Sequence, residues 1–140
     1  MRTTCWQLIA VLFSLGVGHA EPHITEAVLG HDRIQKPGSY EIVKPSTVFA
    51  PNTAKIVCVF RLEGAGIGMN INSVWIAEDV GRAAPPNYKI AEKSLRLPFM
   101  NSGSVYLSKP TKGFPVGSYR LEIYIGSKLA KTLKFSVQTP

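Results

Sequence analysis

The segment Ser118–Ile125, which reads SYRLEIYI, decides the fold predicted for this chain of 140 residues. Every second residue from Tyr119 to Ile125 is aromatic or aliphatic, and Arg120 and Glu122 lie between them. Successive side chains of a β-strand point to opposite faces, so this alternation places one face in a core and the other in water. The segment therefore predicts a half-buried β-strand.

Other short apolar runs, separated by turn signals about every 8 to 12 residues, predict further strands. They are Ile24–Val28, Tyr40–Val43, Lys55–Leu62, Asn72–Glu78, Ser94–Leu97, Ser104–Leu107 and Leu129–Val137. Lys131 breaks the alternation of the last run, which predicts a β-bulge or an odd-numbered loop near Gly126–Lys131 and places Lys131 at the rim of the sandwich. No segment has the apolar spacing of a long amphipathic helix. The pattern predicts an all-β fold, a single antiparallel sandwich of about seven to eight strands.

Residues 1–20 have the features of a secretory signal peptide. Arg2 precedes an apolar run over Leu8–Val17, and Gly18 and Ala20 provide small residues at the −3 and −1 positions. The run is about ten residues long, too short to cross a bilayer as a helix. We therefore expect cleavage before Glu21, with an uncleaved anchor as the alternative.

The mature chain, residues 21–140, is expected to form one domain that is periplasmic or secreted. No later apolar segment is long enough for a transmembrane helix. Removal of the signal peptide would also remove Cys5 and leave Cys58 as the lone cysteine. Cys58 lies in the apolar segment Ile56–Phe60, which favours a small buried hydrophobic residue over a reactive thiol.

The charge of the mature chain is unevenly distributed. Without Arg2, 15 basic residues face 9 acidic ones, and six basic residues but only Glu122 lie between Lys109 and Pro140. Such a region can attract an anionic partner, or its lysines can prevent strands from pairing edge to edge. Nucleic acid is not expected as a partner of an exported chain without an aromatic and basic binding motif.

The C-terminal segment Tyr106–Val137 resembles the second half of immunoglobulin-like β-sandwich modules of exported bacterial proteins. The resemblance rests on Ser108–Pro110, on the corner Phe114–Tyr119 and on the closing strand Phe135–Val137. A looser match continues upstream at Phe49–Pro51, Ile56–Leu62 and Trp75–Ile76. These modules usually have tryptophan where Phe114 stands. The resemblance implies an immunoglobulin-like fold but no particular chemistry, because such modules have many unrelated roles.

Five residues are expected to stabilise this fold. Pro115 fixes φ and Gly117 permits a tight turn into the following strand. Tyr119 can bury its ring and donate a hydrogen bond to a neighbouring loop, resembling a tyrosine corner. Phe114 is the aromatic plug of the corner, and Trp75 is expected to pack centrally between the sheets.

Catalytic, metal-binding and cofactor-binding residues are not predicted. His23 and His31 are the histidines left after cleavage, and neither occurs in a nucleophile–base motif. A metal site needs three or four converging ligands, which the pair His31–Asp32 does not provide. We expect a protein that is not an enzyme; an enzyme of unrecognised type would depend on His31 or Asp79.

The segment Ser102–Tyr106, SGSVY, resembles the Ser-Gly-x-x-Tyr loop of periplasmic lysozyme inhibitors. That resemblance implies a loop that enters the lysozyme cleft, with Ser102 and Tyr106 hydrogen-bonded to the catalytic carboxylates. The motif is short and contains two wildcards, so matches by chance are frequent.

The function expected from the sequence is an exported, non-catalytic binding or assembly module whose partner is a protein or an anionic component of the cell envelope. The alternative is a periplasmic lysozyme inhibitor that acts through the Ser102–Tyr106 loop. The residues expected to contact a partner are Ser102, Gly103, Tyr106, Lys109 and Lys112. The oligomeric state is left open.

Overall fold

The computed structural model describes residues 21–64, 66–99 and 101–140, and the predicted signal peptide lies outside these residues. Nine strands are present in the described part of the chain. They are β1 (His23–Lys36), β2 (Ser39–Pro45), β3 (Val48–Phe49), β4 (Lys55–Glu63), β5 (Asn70–Asp79), β6 (Tyr88–Arg96), β7 (Ser102–Ser108), β8 (Gly117–Ile125) and β9 (Lys128–Val137). A single-turn 3-10 helix, Gly81–Ala83, follows β5.

The strands form two sheets, with the orders β2-β1-β4-β7 and β3-β9-β8-β5-β6. All pairs are antiparallel except β3 with β9, which is parallel. The prediction of an all-β sandwich is confirmed, but with nine strands instead of seven to eight. Within the described residues, no helix is long and apolar enough to cross a membrane.

The sequence analysis missed one strand and misplaced two strand boundaries by more than two residues. β3 was missed because it pairs over only two residues. β6 begins at Tyr88 and not at Ser94, since an edge strand with mostly solvent-facing side chains shows no apolar alternation. β1 extends to Lys36 because its second half, beyond Gly30, leaves β4 and pairs with β2.

The main core lies between the two sheets and is dominated by aromatic rings. Trp75 on β5 is fully buried, and its ring meets that of Phe135 edge-on, with 6.0 Å between centroids. The ring of Tyr119 stacks on the ring of Phe135, with 5.2 Å between their centroids. Trp75 therefore occupies the central position expected for it. The other large buried aromatic residues are Phe49, Phe60 and Phe114.

A second apolar cluster covers the outer face of β4. Tyr40 and Ile42 of β2 pack with Val57 and Val59, and Phe99 completes the cluster. Residues Ile56–Phe60 of β4 are therefore buried on both faces, which explains why this segment is continuously apolar instead of alternating.

The β8–β9 hairpin contains the predicted bulge. Ile125 pairs with Lys128 across a two-residue turn, and the register then shifts so that Ala130 is an extra residue. The bulge turns Leu129 to the outer face, where it is 47% exposed. Lys131 pairs with Ile123 and is exposed at the rim.

Candidate functional site

An apolar groove of about 720 Å³ lies at one end of the sandwich. Its walls are the connection from β5 to β6 and the loop from β7 to β8, which the antiparallel sheets bring to the same end. Its lining residues are Ala77, Val80, Ala83, Ala84, Tyr88, Ile90, Pro110, Thr111, Lys112, Gly113, Phe114, Pro115 and Tyr119. Hydrophobic side chains make up most of this surface, as in preformed ligand sites.

Backbone hydrogen bonds hold the wall formed by the β7–β8 loop. Gly113 N donates to Pro110 O over 2.9 Å, and Phe114 N donates to Pro51 O over 2.8 Å. Gly113 has a φ of +85°, and a Cβ there would lie 2.9 Å from Pro51 O. This close approach fixes the loop against the chain before β4 and lets Phe114 insert its ring into the core.

The turn into β8 forms the corner that the sequence predicted. The Tyr119 hydroxyl donates a hydrogen bond to Pro115 O, four residues upstream. Burial raises the pKa of Tyr119 to about 12, so this hydroxyl remains a neutral donor at physiological pH. A Cβ at Gly117 would overlap the Asp79 carbonyl oxygen, so the start of β8 packs directly on the end of β5.

The opposite wall is also tied down by local hydrogen bonds. Gly81 N donates to Asp79 Oδ1 over 3.1 Å, and Asn87 N donates to Glu78 O over 3.0 Å. Asn87 has a φ of +55°, which asparagine tolerates better than most residues. The wall places the ring of Tyr88, 51% exposed, at the mouth of the groove.

Lysines border the groove on the side of the β7–β8 loop. Lys112 lines the groove, and on the other side of the same loop it lines a shallow depression together with Lys109 and Asn52. Within the described residues, neither lysine has a carboxylate oxygen within 4 Å of its Nζ atom. The site is therefore an apolar surface with unpaired positive charge at one rim.

The exposed loop that the lysozyme-inhibitor resemblance implied for Ser102–Tyr106 is not present, because this segment belongs to strand β7, in agreement with the strand predicted at Ser104–Leu107. Ser102 is 1% exposed, and its Oγ accepts a hydrogen bond from Tyr40 N over 3.3 Å. Gly103 lies beneath the Phe60 ring, where a Cβ would be 2.6 Å from Phe60 Cζ. Buried positions of this kind cannot contact a partner, and the lysozyme-inhibitor alternative loses its structural basis.

Tyr106 is the one residue of that motif with a largely exposed side chain, and it lies on the edge of a sheet away from the groove. The five residues predicted to contact a partner therefore separate into a buried pair, Tyr106 alone, and the two rim lysines, Lys109 and Lys112. The apolar walls of the groove were missed. One wall could have been recognised from the segment Ala83–Tyr88, AAPPNY, because apolar residues and two prolines occur there in a connection between strands.

His31 and Cys58 both have structural roles, His31 through a hydrogen bond and Cys58 through burial in the core. His31 Nδ1 donates to Lys44 O over 2.9 Å, and the ring lies 5.0 Å from that of Phe49. Burial raises the pKa of the Cys58 thiol to about 12, which keeps the sulfur protonated. Across residues 21–64, 66–99 and 101–140, no group of three His, Cys, Asp or Glu side chains could hold a metal ion.

No family model and no curated protein matches this sequence. Among solved structures, the chain is similar to an immunoglobulin-like protein of Pseudomonas aeruginosa, with a TM-score of 0.55 and 15% identity over 86% of this chain and 99% of that one. The fold is immunoglobulin-like.

Two less similar structures are much longer proteins. The alkylpurine DNA glycosylase AlkC of Pseudomonas fluorescens, solved with DNA containing an abasic site analog, has a TM-score of 0.46 at 12% identity over 86% of this chain and 31% of its own. A Trichoderma reesei beta-D-glucoside glucohydrolase has a TM-score of 0.43 at 16% identity over 84% of this chain and 19% of its own.

Proposed function

We propose that this protein is an exported, non-catalytic binding module that captures a segment of another protein in the groove at the end of its sandwich. The segment would place an apolar side chain between Tyr88 and Phe114 and a carboxylate beside Lys109 and Lys112. The observation that carries the proposal is the apolar groove itself, with its unpaired cationic rim.

The rigidity of both walls supports this function. A preformed site loses little conformational entropy when it binds, so more of the contact energy appears as affinity. Burial of one leucine-sized side chain contributes about 1.5–3 kcal/mol. The positive rim adds attraction for an acidic segment and accelerates its association.

Export is part of the same proposal. It is supported by the signal-peptide features of residues 1–20. Glu21, where the mature chain would begin, lies beside Lys128 and Leu129 next to the β8–β9 turn, at the opposite end of the sandwich from the groove.

Site-directed photocrosslinking in the native host tests the proposal. A benzoylphenylalanine residue at Tyr88 is expected to give a discrete adduct with a partner protein, because this side chain stands at the mouth of the groove. The same residue at Ile34 is the matched control, since Ile34 is 52% exposed but lies on β1. Adducts are resolved by denaturing electrophoresis and identified by mass spectrometry.

Charge reversal at the rim provides the second arm of this experiment. Lys112→Glu is expected to reduce the Tyr88 adduct several-fold, whereas Lys131→Glu, at an exposed position on β9, should leave it unchanged. No adduct from Tyr88, or the same adducts from Tyr88 and Ile34, would refute the assignment of function to the groove.

A further inference from the structure

The outer edge of β7 is an unpaired strand edge. β7 is the last strand of its sheet and pairs only with β4. The Tyr106 carbonyl accepts a hydrogen bond from Lys93 of the other sheet, so it points away from β4. Because backbone groups of an antiparallel strand alternate in direction, those of Ser104 and Ser108 also point away from β4. Ser108 is exposed, whereas Ser104 is buried.

This edge differs in composition from its neighbour. β7, with the sequence SGSVYLS, contains no charged residue and no proline. β6, the edge strand of the other sheet, contains the charged residues Lys89, Glu92, Lys93 and Arg96. Natural proteins use such charges to prevent edge strands from pairing with other chains. β7 carries no such protection in its own sequence.

Lys93 of β6 places its side chain against this edge. Its Nζ lies 3.2 Å from Tyr106 O and 4.5 Å from the centroid of the Tyr106 ring. In the described part of the chain, no carboxylate oxygen lies within 4 Å of Lys93 Nζ. The ammonium group is therefore available for an ion pair that a carboxylate could form as it displaced the contact with Tyr106.

The charge at this edge favours one kind of occupant. A second copy that paired through β7 would bring its own Lys93 and a second positively charged chain to the interface, which is unfavourable. A strand with an aspartate or glutamate would instead neutralise Lys93. Repulsion of the wrong partner and attraction of the right one together produce specificity.

We propose that the β7 edge binds an extended segment of another protein by β-strand addition, and that Lys93 selects a segment with a carboxylate opposite Tyr106. Main-chain hydrogen bonds to residues 106 and 108, the exposed part of this edge, would provide the affinity. This site lies on the edge of a sheet and is separate from the groove, so the two proposals can fail independently.

Synthetic peptides test this inference on the purified mature chain. The probes are blocked seven-residue peptides of alternating threonine and valine, with a single glutamate placed at each position in turn. Matched peptides carry lysine in place of glutamate, and a third set carries N-methylated backbone amides that cannot pair. Backbone amide resonances of Tyr106 and Ser108 report binding at the edge.

At least one glutamate peptide is expected to shift these resonances at about 1 mM, while its N-methylated form should not. The lysine peptides should bind about tenfold more weakly. Lys93→Met should abolish this discrimination, and Lys89→Met should preserve it, because Lys89 is paired with Glu92 on the same strand.

Three results would overturn the inference. One is that no glutamate peptide perturbs the β7 edge, and another is that peptides of both charges bind the unmodified chain equally. The third is that the unmodified chain sediments as a dimer with protected β7 amides, which would assign the edge to a second copy.

Discussion

Replacement of Trp75 by alanine is expected to lower the free energy of unfolding by about 3–5 kcal/mol. The side chain is fully buried at the centre of the sandwich and contacts the ring of Phe135. Its removal would leave a cavity between the two sheets, and the surrounding side chains can relax into it only in part. Equilibrium denaturation in guanidinium, followed by circular dichroism, measures the loss.

A conservative replacement at Trp75 and a control at an exposed position complete this test. Trp75→Phe should lose less stability than Trp75→Ala, because it fills most of the site and removes a buried indole N–H that has no hydrogen-bond partner. Ile34→Ala, at an exposed position, should change stability by no more than about 0.5 kcal/mol. A loss below about 1 kcal/mol for Trp75→Ala would contradict the central position of this residue.

Replacement of Gly117 by alanine is expected to destabilise the protein by about 3 kcal/mol or more, the upper range of overpacking effects. The new Cβ would overlap the Asp79 carbonyl oxygen and lie 2.9 Å from Val80 Cα, and backbone atoms cannot rotate aside. The start of β8 would have to move away from the end of β5, which would distort the wall of the groove. Thermal and chemical denaturation measure the effect.

Gly126→Ala is the matched control for Gly117→Ala. Gly126 has a φ of +59°, but a Cβ added there would have no neighbouring atom within 4 Å, so only backbone strain of about 1–2 kcal/mol is expected. Equal losses for the two variants would show that the contact with Asp79 does not constrain the fold.

The strand content of this chain could be predicted where one face of a strand is buried and the other is in water. β8 is such a strand, and its alternation predicted its end at Ile125, its start to within one residue and its inward residues. β4 lacks alternation because β2 covers its outer face, and that cover is formed by residues distant in sequence. Its strand character could be predicted, but the second cluster could not.

The same covering explains why the burial of Ser102 could not be predicted. A strand was predicted from Ser104 onward, but Ser102 is buried because Tyr40 reaches it from the β1–β2 hairpin, which is distant in sequence. The groove was missed for a related reason. Its two walls come from separate connections, and no local pattern indicates that Tyr88 and Phe114 line the same cavity.

Hydrogen exchange of the mature chain, alone and saturated with the partner captured from Tyr88, is the most direct test of where this protein binds. Binding in the groove is expected to slow amide exchange in residues 80–90 and 111–114, the two walls of the groove. Protection confined to residues 66–69 and 97–99, at the opposite end of the sandwich, would contradict it.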